Sequence, residues 1–344
     1  MGADRLPEER QLQEQVAKLV RYIGLVYNVV LYRDPNQAEI QKHGNEMLGG
    51  LSLIDFFTNI TFSEERRSLP DMYVVPGHFY SPIANPAHLH HYVRSLSKAG
   101  PELPGISLDR DAMIATWERL LPLLTTSPFA DAQTPGLRYA YDNQAYGFGD
   151  AVVLQAMLRD RAPQRLIEIG SGYSSACTVD TVDTFLGGGC ELTFIEPYPD
   201  RLRAILGERA EGVRIIDSAV QRVPLRVFGE LGAGDVLFID STHVLRTGSD
   251  VCYQLFDVLP RLASGVGVHF HDIFWPFEYP NNWILDDNRS WNEIYGLRAF
   301  LTDNDRWEIL FFNDYFAKFE RARVQSDFPR FSANPGASLW IQRR

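Results

Sequence analysis

The feature that most constrains this chain is the alternation running through its second half. Short apolar runs at Arg165-Ile169, Glu191-Ile195, Val213-Ile216, Val236-Ile239 and Val266-Phe270 are separated by segments with helical spacing at Ser174-Phe185, Pro199-Leu206 and Asp250-Leu262. After a further helical stretch, Ser290-Leu301, two more strand-like runs follow at Trp307-Phe312 and Ser338-Ile341. Apolar strands of four to six residues alternating with helices cannot bury both faces in an antiparallel meander. They imply βαβ crossovers and a doubly wound α/β sheet covered on both sides.

The first half reads differently. Val16, Leu19, Val20, Ile23, Val26, Tyr27 and Val30 recur at three- and four-residue steps, which predicts an amphipathic helix over about residues 6 to 32. From Asp34 to Pro135 turn signals are dense, as in Gly49-Gly50, Val75-Pro76-Gly77 and Pro104-Gly105, with a helical piece at Asp109-Leu124 carrying Met113, Trp117, Leu120 and Leu121. The aromatic residues of this stretch argue for order, so residues 1–138 are expected to form a helical and irregular cap and residues 139–344 the sheet domain. The apolar stripe of the first helix must pack on the chain's own body or on a second copy, which makes a homodimer the expected assembly.

Composition removes several function classes. With 33 Lys and Arg against 44 Asp and Glu, the formal charge of −11 opposes a nucleic-acid partner. Three cysteines without paired spacing (Cys177, Cys190, Cys252) exclude a disulfide scaffold and a cysteine zinc cluster, and suit a reducing cytoplasm. The most apolar segment, Ile23 to Tyr32, is too short to span a membrane and lacks the flanks of a secretory signal. A cytoplasmic protein is expected.

The most informative string is Leu166-Ile167-Glu168-Ile169-Gly170-Ser171-Gly172-Tyr173-Ser174-Ser175, a strand running through two glycines into a helix. Glycines there let backbone pass close to a ligand, with helix amides pointing at it. A dinucleotide site would want a third glycine where Ser175 stands. Glu168 precedes the turn, and the next strand ends in Glu196, where a ribose-binding carboxylate belongs. The extra carboxylate beside the turn favours a cofactor bearing a cationic group over a pyrophosphate.

These motifs resemble those of the class I S-adenosylmethionine-dependent methyltransferases, in their small-molecule O-methyltransferase branch. The match comprises Glu168, Gly170 and Gly172 of the first motif, Glu196 ending the second strand, Asp217 after the third and Asp240 closing the fourth. The resemblance covers about residues 140 to 342. It implies a Rossmann-like methyltransferase fold with a seven-stranded, mostly parallel sheet and a closing antiparallel pair. It also implies S-adenosylmethionine as cofactor: Gly170, Ser171, Gly172, Tyr173 and Ser174 lining the methionine portion, Glu196 on the ribose, Asp217 and Ser218 near the adenine, Glu168 acting through water or the loop backbone, and Asp240 on the ammonium group.

Two further strings look chemical: Asp240-Ser241-Thr242-His243 at the end of the fourth strand and His269-Phe270-His271-Asp272 at the end of the fifth. Ligands of open α/β sheets gather outside the carboxyl ends of strands, and alternation puts His269 and His271 on one face. Methylating a hydroxyl requires its proton to leave, so His271 is the first candidate for the base, His243 the second, with Asp272 beside them. The same groups suit a divalent metal. Asp240 and Asp272 would bind Mg²⁺ or Mn²⁺, with His271 as a third ligand, and histidines together with carboxylates would suit a transition metal. Related O-methyltransferases carry metal carboxylates at these two strand ends, often an acid pair where this chain has His271-Asp272.

The aromatic loop Ile273 to Trp283 leaves the same edge and is expected to wall the acceptor pocket, with Tyr139 to Asp150 and Pro76 to Pro82 on other sides. The expected acceptor is a small molecule, a sugar or a natural product with a free hydroxyl. The competing readings are an NAD-linked oxidoreductase, whose third glycine and Tyr-x-x-x-Lys pair are missing, and a non-catalytic cofactor-binding module, which would tolerate loss of His243 and His271.

Overall fold

The computed structural model describes residues 5–31, 33–68, 73–96 and 99–344, with side chains described from residue 16 onward except that of residue 29. It divides into two compact units, Met1–Val75 and Pro76–Arg344. The stretch from 76 to 138 belongs with the sheet, because the helix Arg110–Leu124 buries Met113, Trp117, Leu120 and Leu124 in the sheet's own core.

The first unit is a set of helices at Arg5–Leu31, Gln37–Leu48, Leu53–Thr61 and Glu64–Ser68. The lower part of the expected stripe (Ile23, Val26, Tyr27, Val30) is buried with Phe56 and Ile60 in a small core of its own, whereas Val16 and Val20 are exposed. His43 is buried there between the Tyr27 hydroxyl and the Glu46 carboxylate.

The second unit carries strands β1 (Arg165–Ile169), β2 (Glu191–Ile195), β3 (Arg214–Ile216), β4 (Val236–Ile239), β5 (Gly267–Phe270), β6 (Trp307–Phe312) and β7 (Leu339–Arg343). Their order is β3-β2-β1-β4-β5-β7-β6, with β1 to β5 parallel and β7 antiparallel to both β5 and β6. This is the seven-stranded, doubly wound sheet expected from the alternation. The closing pair is an antiparallel ladder but not a tight hairpin, since helices at Asn313–Phe319, Arg321–Asp327 and Pro329–Ala333 connect β6 to β7. β1, β4 and β5 are buried nearly throughout, as strands covered on both faces must be.

One helix departs from its expected form. Asp250–Leu262 is not a continuous α-helix: one α turn (Asp250–Tyr253) widens into a π segment (Gln254–Val258) and ends in a 3₁₀ turn (Leu259–Arg261). Pro260 has no N–H to continue the ladder and its ring crowds the carbonyl four residues back, so the spacing loosens ahead of it. No described helix is long and apolar enough to cross a membrane, and all three cysteines are free.

Candidate active site

The register of the parallel strands builds the site. Ile169 lies opposite both Ile195 and Ile239, and Ile239 opposite Phe270, so β1, β2, β4 and β5 end level with one another. The residues that follow, Gly170, Glu196, Asp240 and His271, therefore leave the sheet as a row. The ladder still holds each amide: Gly170 N–H donates to Ile195, Asp240 N–H to Ile169, His271 N–H to Ile239 and Glu196 N–H to Ile216.

A cavity of about 430 Å³ opens on this row. Gly170 to Ser174, Glu196, Tyr198 and Arg201 line one side, Tyr146, Asp240 and Thr242 another. Gly170 has φ +77° and a Cβ there would overlap the Asp240 carbonyl oxygen, so only glycine fits. Gly172 is different. A Cβ at that position would meet nothing closer than the flexible Arg201 guanidinium at 3.3 Å, so the side facing the cavity is open to close approach of a ligand. Glu196 ties the turn down, accepting the Ser171 N–H at 3.1 Å and the Tyr198 N–H at 2.9 Å on separate oxygens. Each oxygen keeps a lone pair for a ligand hydroxyl. Ser171 Oγ is buried with no hydrogen-bond partner among the described residues.

Glu168 lies behind the turn rather than in the cavity. It is fully buried, and its Oε1 accepts both the Ser174 and Ser175 hydroxyls at 2.7 Å. Ser175 Oγ in turn accepts the Gly172 N–H at 3.0 Å, which is why serine serves where a dinucleotide site has its third glycine. Burial pushes the Glu168 carboxyl up to about 8, against the pull of the two serine hydroxyls.

At the ends of β4 and β5 the histidines sit among acids. His243 Nε2 lies 3.3 Å from Asp240 Oδ1 and 3.6 Å from Asp272 Oδ2, and its Nδ1 is 2.8 Å from the buried Glu293 carboxylate. Burial disfavours charge on this ring, but the hydrogen bonds to Asp240 and Glu293 outweigh it and raise its pKa to about 10. His271 lies 3.4 Å from both Asp150 and Asp240 and 3.7 Å from Asp272. Burial again opposes its charge, and the three carboxylates hold it well above the usual imidazole range. Asp150 is anchored by the Ala337 N–H and the Ser338 hydroxyl. That same Ser338 oxygen accepts from His269 Nε2, and burial drives His269 down to about 3, so it is neutral. Asp240, His243 and Asp272 bring one donor atom each within 4.8 Å of the others. His243 and Asp272 both take positive φ, +59° and +60°, the left-handed region that Asp and His enter more readily than most side-chain-bearing residues.

Residues 167–273 match the family model described as a methyltransferase domain. That span holds the glycine turn, Glu196, Asp240 and the histidine–aspartate cluster. The chain carries a methyltransferase domain of the S-adenosylmethionine-dependent kind. An uncharacterized protein of Archaeoglobus fulgidus is 32% identical to it over 162 residues, 45% of this chain and 72% of that one. Among solved structures it is similar to an SAH-bound methyltransferase from Podospora anserina (16% identity, 79% of this chain, 99% of that chain, TM-score 0.38). Another is an O-methyltransferase from Bacillus cereus in complex with SAH (12% identity, 76% and 100%, TM-score 0.36). A third is the O-methyltransferase TomG from Streptomyces achromogenes in complex with SAM (13% identity, 75% and 97%, TM-score 0.38).

In this methyltransferase the expected cofactor residues Gly170, Ser171, Gly172, Tyr173, Ser174, Glu196 and Asp240 line one cavity. Asp217 is exposed and, like Ser218, lies outside that lining, which Ala219 to Gln221 continue. The cluster of donors within reach of one another uses His243, whereas His271 stands on the far side of Asp240. The aromatic loop divides its work: Trp275 and Phe277 are core, while Tyr279 and Trp283 wall a cavity of about 120 Å³ with Trp291, Tyr295 and Arg289. Sequence reading missed Glu293, Arg201 and Ser338. None carries a motif; Glu293 and Ser338 reach the site from distant elements, and Arg201 from the helix Asp200–Leu206 that follows β2.

Proposed function

We propose that this methyltransferase carries a methyl group from S-adenosylmethionine to an oxygen of a small hydroxylated acceptor, a natural product or a glycan, with a divalent cation at the ends of β4 and β5. One observation carries the reading: Asp240 both lines the cofactor cavity and lies 3.3 Å from His243 Nε2 in the cluster with Asp272. An acceptor held at the cluster is thereby beside the cofactor's reactive end. The residues fit both groups. The buried, unpartnered Ser171 Oγ and the ligand-side freedom at Gly172 suit a bound cofactor, and one imidazole nitrogen with two carboxylates is a metal-binding donor set.

S-adenosylmethionine supplies an electrophilic methyl group on a sulfonium. Gly170 to Ser174 would cradle its methionine portion, Glu196 its ribose hydroxyls, and Asp240 its ammonium group or the cation. Asp240, His243 and Asp272 would hold the cation, whose chemistry there is to lower the pKa of an acceptor hydroxyl. The chain's own part is positioning: the level strand ends fix acceptor and donor side by side, and in-line approach supplies much of the rate. The carboxylates around both rings favour the protonated imidazoles, which works against either histidine as the base. The base reading keeps one observation: His271 Nδ1 is buried without a hydrogen-bond partner, and its ring lies 5.1 Å from Tyr146 of the cofactor cavity. Residues 139–344 are the cofactor-binding domain on this reading.

The test is calorimetry with S-adenosylhomocysteine and with NAD, followed by transfer of labelled methyl to a panel of phenols and glycosides, with and without EDTA. Homocysteine-product binding without NAD binding is expected, as is transfer that EDTA abolishes while product affinity holds. Transfer undiminished by EDTA but lost in His271→Ala would replace the cation with the base.

A further inference from the structure

The three residues Trp291, Asn292 and Glu293 close on His243 from several directions. The amides of Asn292 and Glu293 both donate to the His243 carbonyl, at 3.0 and 3.1 Å. The Trp291 ring lies on the imidazole at 4.4 Å between centroids. The Glu293 carboxylate, 1% exposed, meets His243 Nδ1 at 2.8 Å, and its other oxygen is buried with no partner. Nothing here is needed merely to fill space, since an apolar residue could pack under the ring without burying a carboxylate. What the arrangement fixes is direction. With Nδ1 given to Glu293, Nε2 is the nitrogen left facing Asp240 and Asp272, at separations of 3.3 and 3.6 Å. Donors bound to one transition ion at about 2.0–2.2 Å stand roughly 3–3.5 Å apart, so the cluster is already near coordination spacing.

We propose that Glu293 is the positioning residue that presents His243 Nε2 to the cation, and that this one-nitrogen, two-carboxylate set selects an ion of the manganese, iron or cobalt class over magnesium. The inference rests on the cation-assisted reading above. Mg²⁺ seeks an all-oxygen shell with several waters, whereas an imidazole made more basic by a buried carboxylate behind it suits later divalent ions. The signal is invisible to motif reading because Glu293 lies 50 residues beyond His243, at the start of another helix.

The experiment uses the full chain, stripped of metal, and titrates Mg²⁺, Mn²⁺ and Co²⁺ by calorimetry, with visible absorption of the Co²⁺ form and S-adenosylhomocysteine affinity measured in parallel. Wild type is expected to bind Co²⁺ and Mn²⁺ about 100-fold or more tightly than Mg²⁺. Glu293→Gln is expected to weaken Co²⁺ binding about 10- to 100-fold and to move the Co²⁺ absorption band, with product affinity unchanged within about twofold. Glu293→Asp, which keeps the charge and shortens the reach, falls between the two and carries the test if the Gln variant does not fold. Mg²⁺ binding as tight as Co²⁺, no ion bound at all, or variants that lose thermal stability while keeping Co²⁺ affinity and spectrum would each overturn the proposal. Failure of wild type to bind S-adenosylhomocysteine would count against the methyltransferase reading instead.

Discussion

The two ends of the strand row are built in different ways. On the β1–β2 side the working parts are backbone, a forced glycine and carboxylates held by near neighbours: Glu168 by Ser174 and Ser175, Glu196 by Ser171 only 25 residues away. On the β4–β5 side they are side chains gathered from across the chain. Glu293 comes 50 residues after His243, and Ser338 reaches Asp150 across 188. The first side is a cradle that a local stretch of sequence can specify. The second is an electrostatic cluster whose charges are balanced only once the whole sheet is assembled.

The largest effect that would break this contrast is at the cradle. Gly170→Ala puts a methyl into the Asp240 carbonyl at a positive φ and is expected to destabilise the fold by about 3 kcal/mol or more and abolish product binding, read by thermal unfolding and calorimetry. Tolerance there would mean the turn is not backbone-limited. His243→Ala should divide the two sides cleanly, depressing turnover about 100-fold or more while S-adenosylhomocysteine affinity stays within about twofold. Next comes the pH dependence of the cradle itself. Glu168 titrates near 8 in the folded chain and near 4.5 when unfolded, so the unfolded chain loses this proton first and stability falls as pH rises from about 4.5 to 8. Glu168→Gln keeps an acceptor for the two serines without the buried charge. Its stability relative to wild type should rise by an amount of order a few kcal/mol between pH 5 and pH 9, measured in denaturant. Glu196→Ala should weaken product binding by about 1–3 kcal/mol. Asp217→Ala, exposed and outside the cavity lining, should shift that binding by less than about 0.5 kcal/mol.

The seven strands were legible because each is a short apolar run bounded by turns, and hydrophobic periodicity is a local property. The glycine turn was legible for the same reason. The π segment before Pro260 was less so, because proline announces an interruption but not how the ladder will relax around it. The small helices joining β6 to β7 and the division into compact units at Val75 depend on which surfaces meet.

Local sequence alone determined the strand ends, the cradle and the identities of Asp240, His243, His271 and Asp272. Tertiary structure decided what those groups are: which carboxylate stands behind each histidine, Glu293 or Asp150, and which imidazole is driven neutral. A side chain's charge state follows from its desolvation and its neighbours, and for these residues the neighbours arrive from other elements only when the register of the sheet brings four strands to a common end.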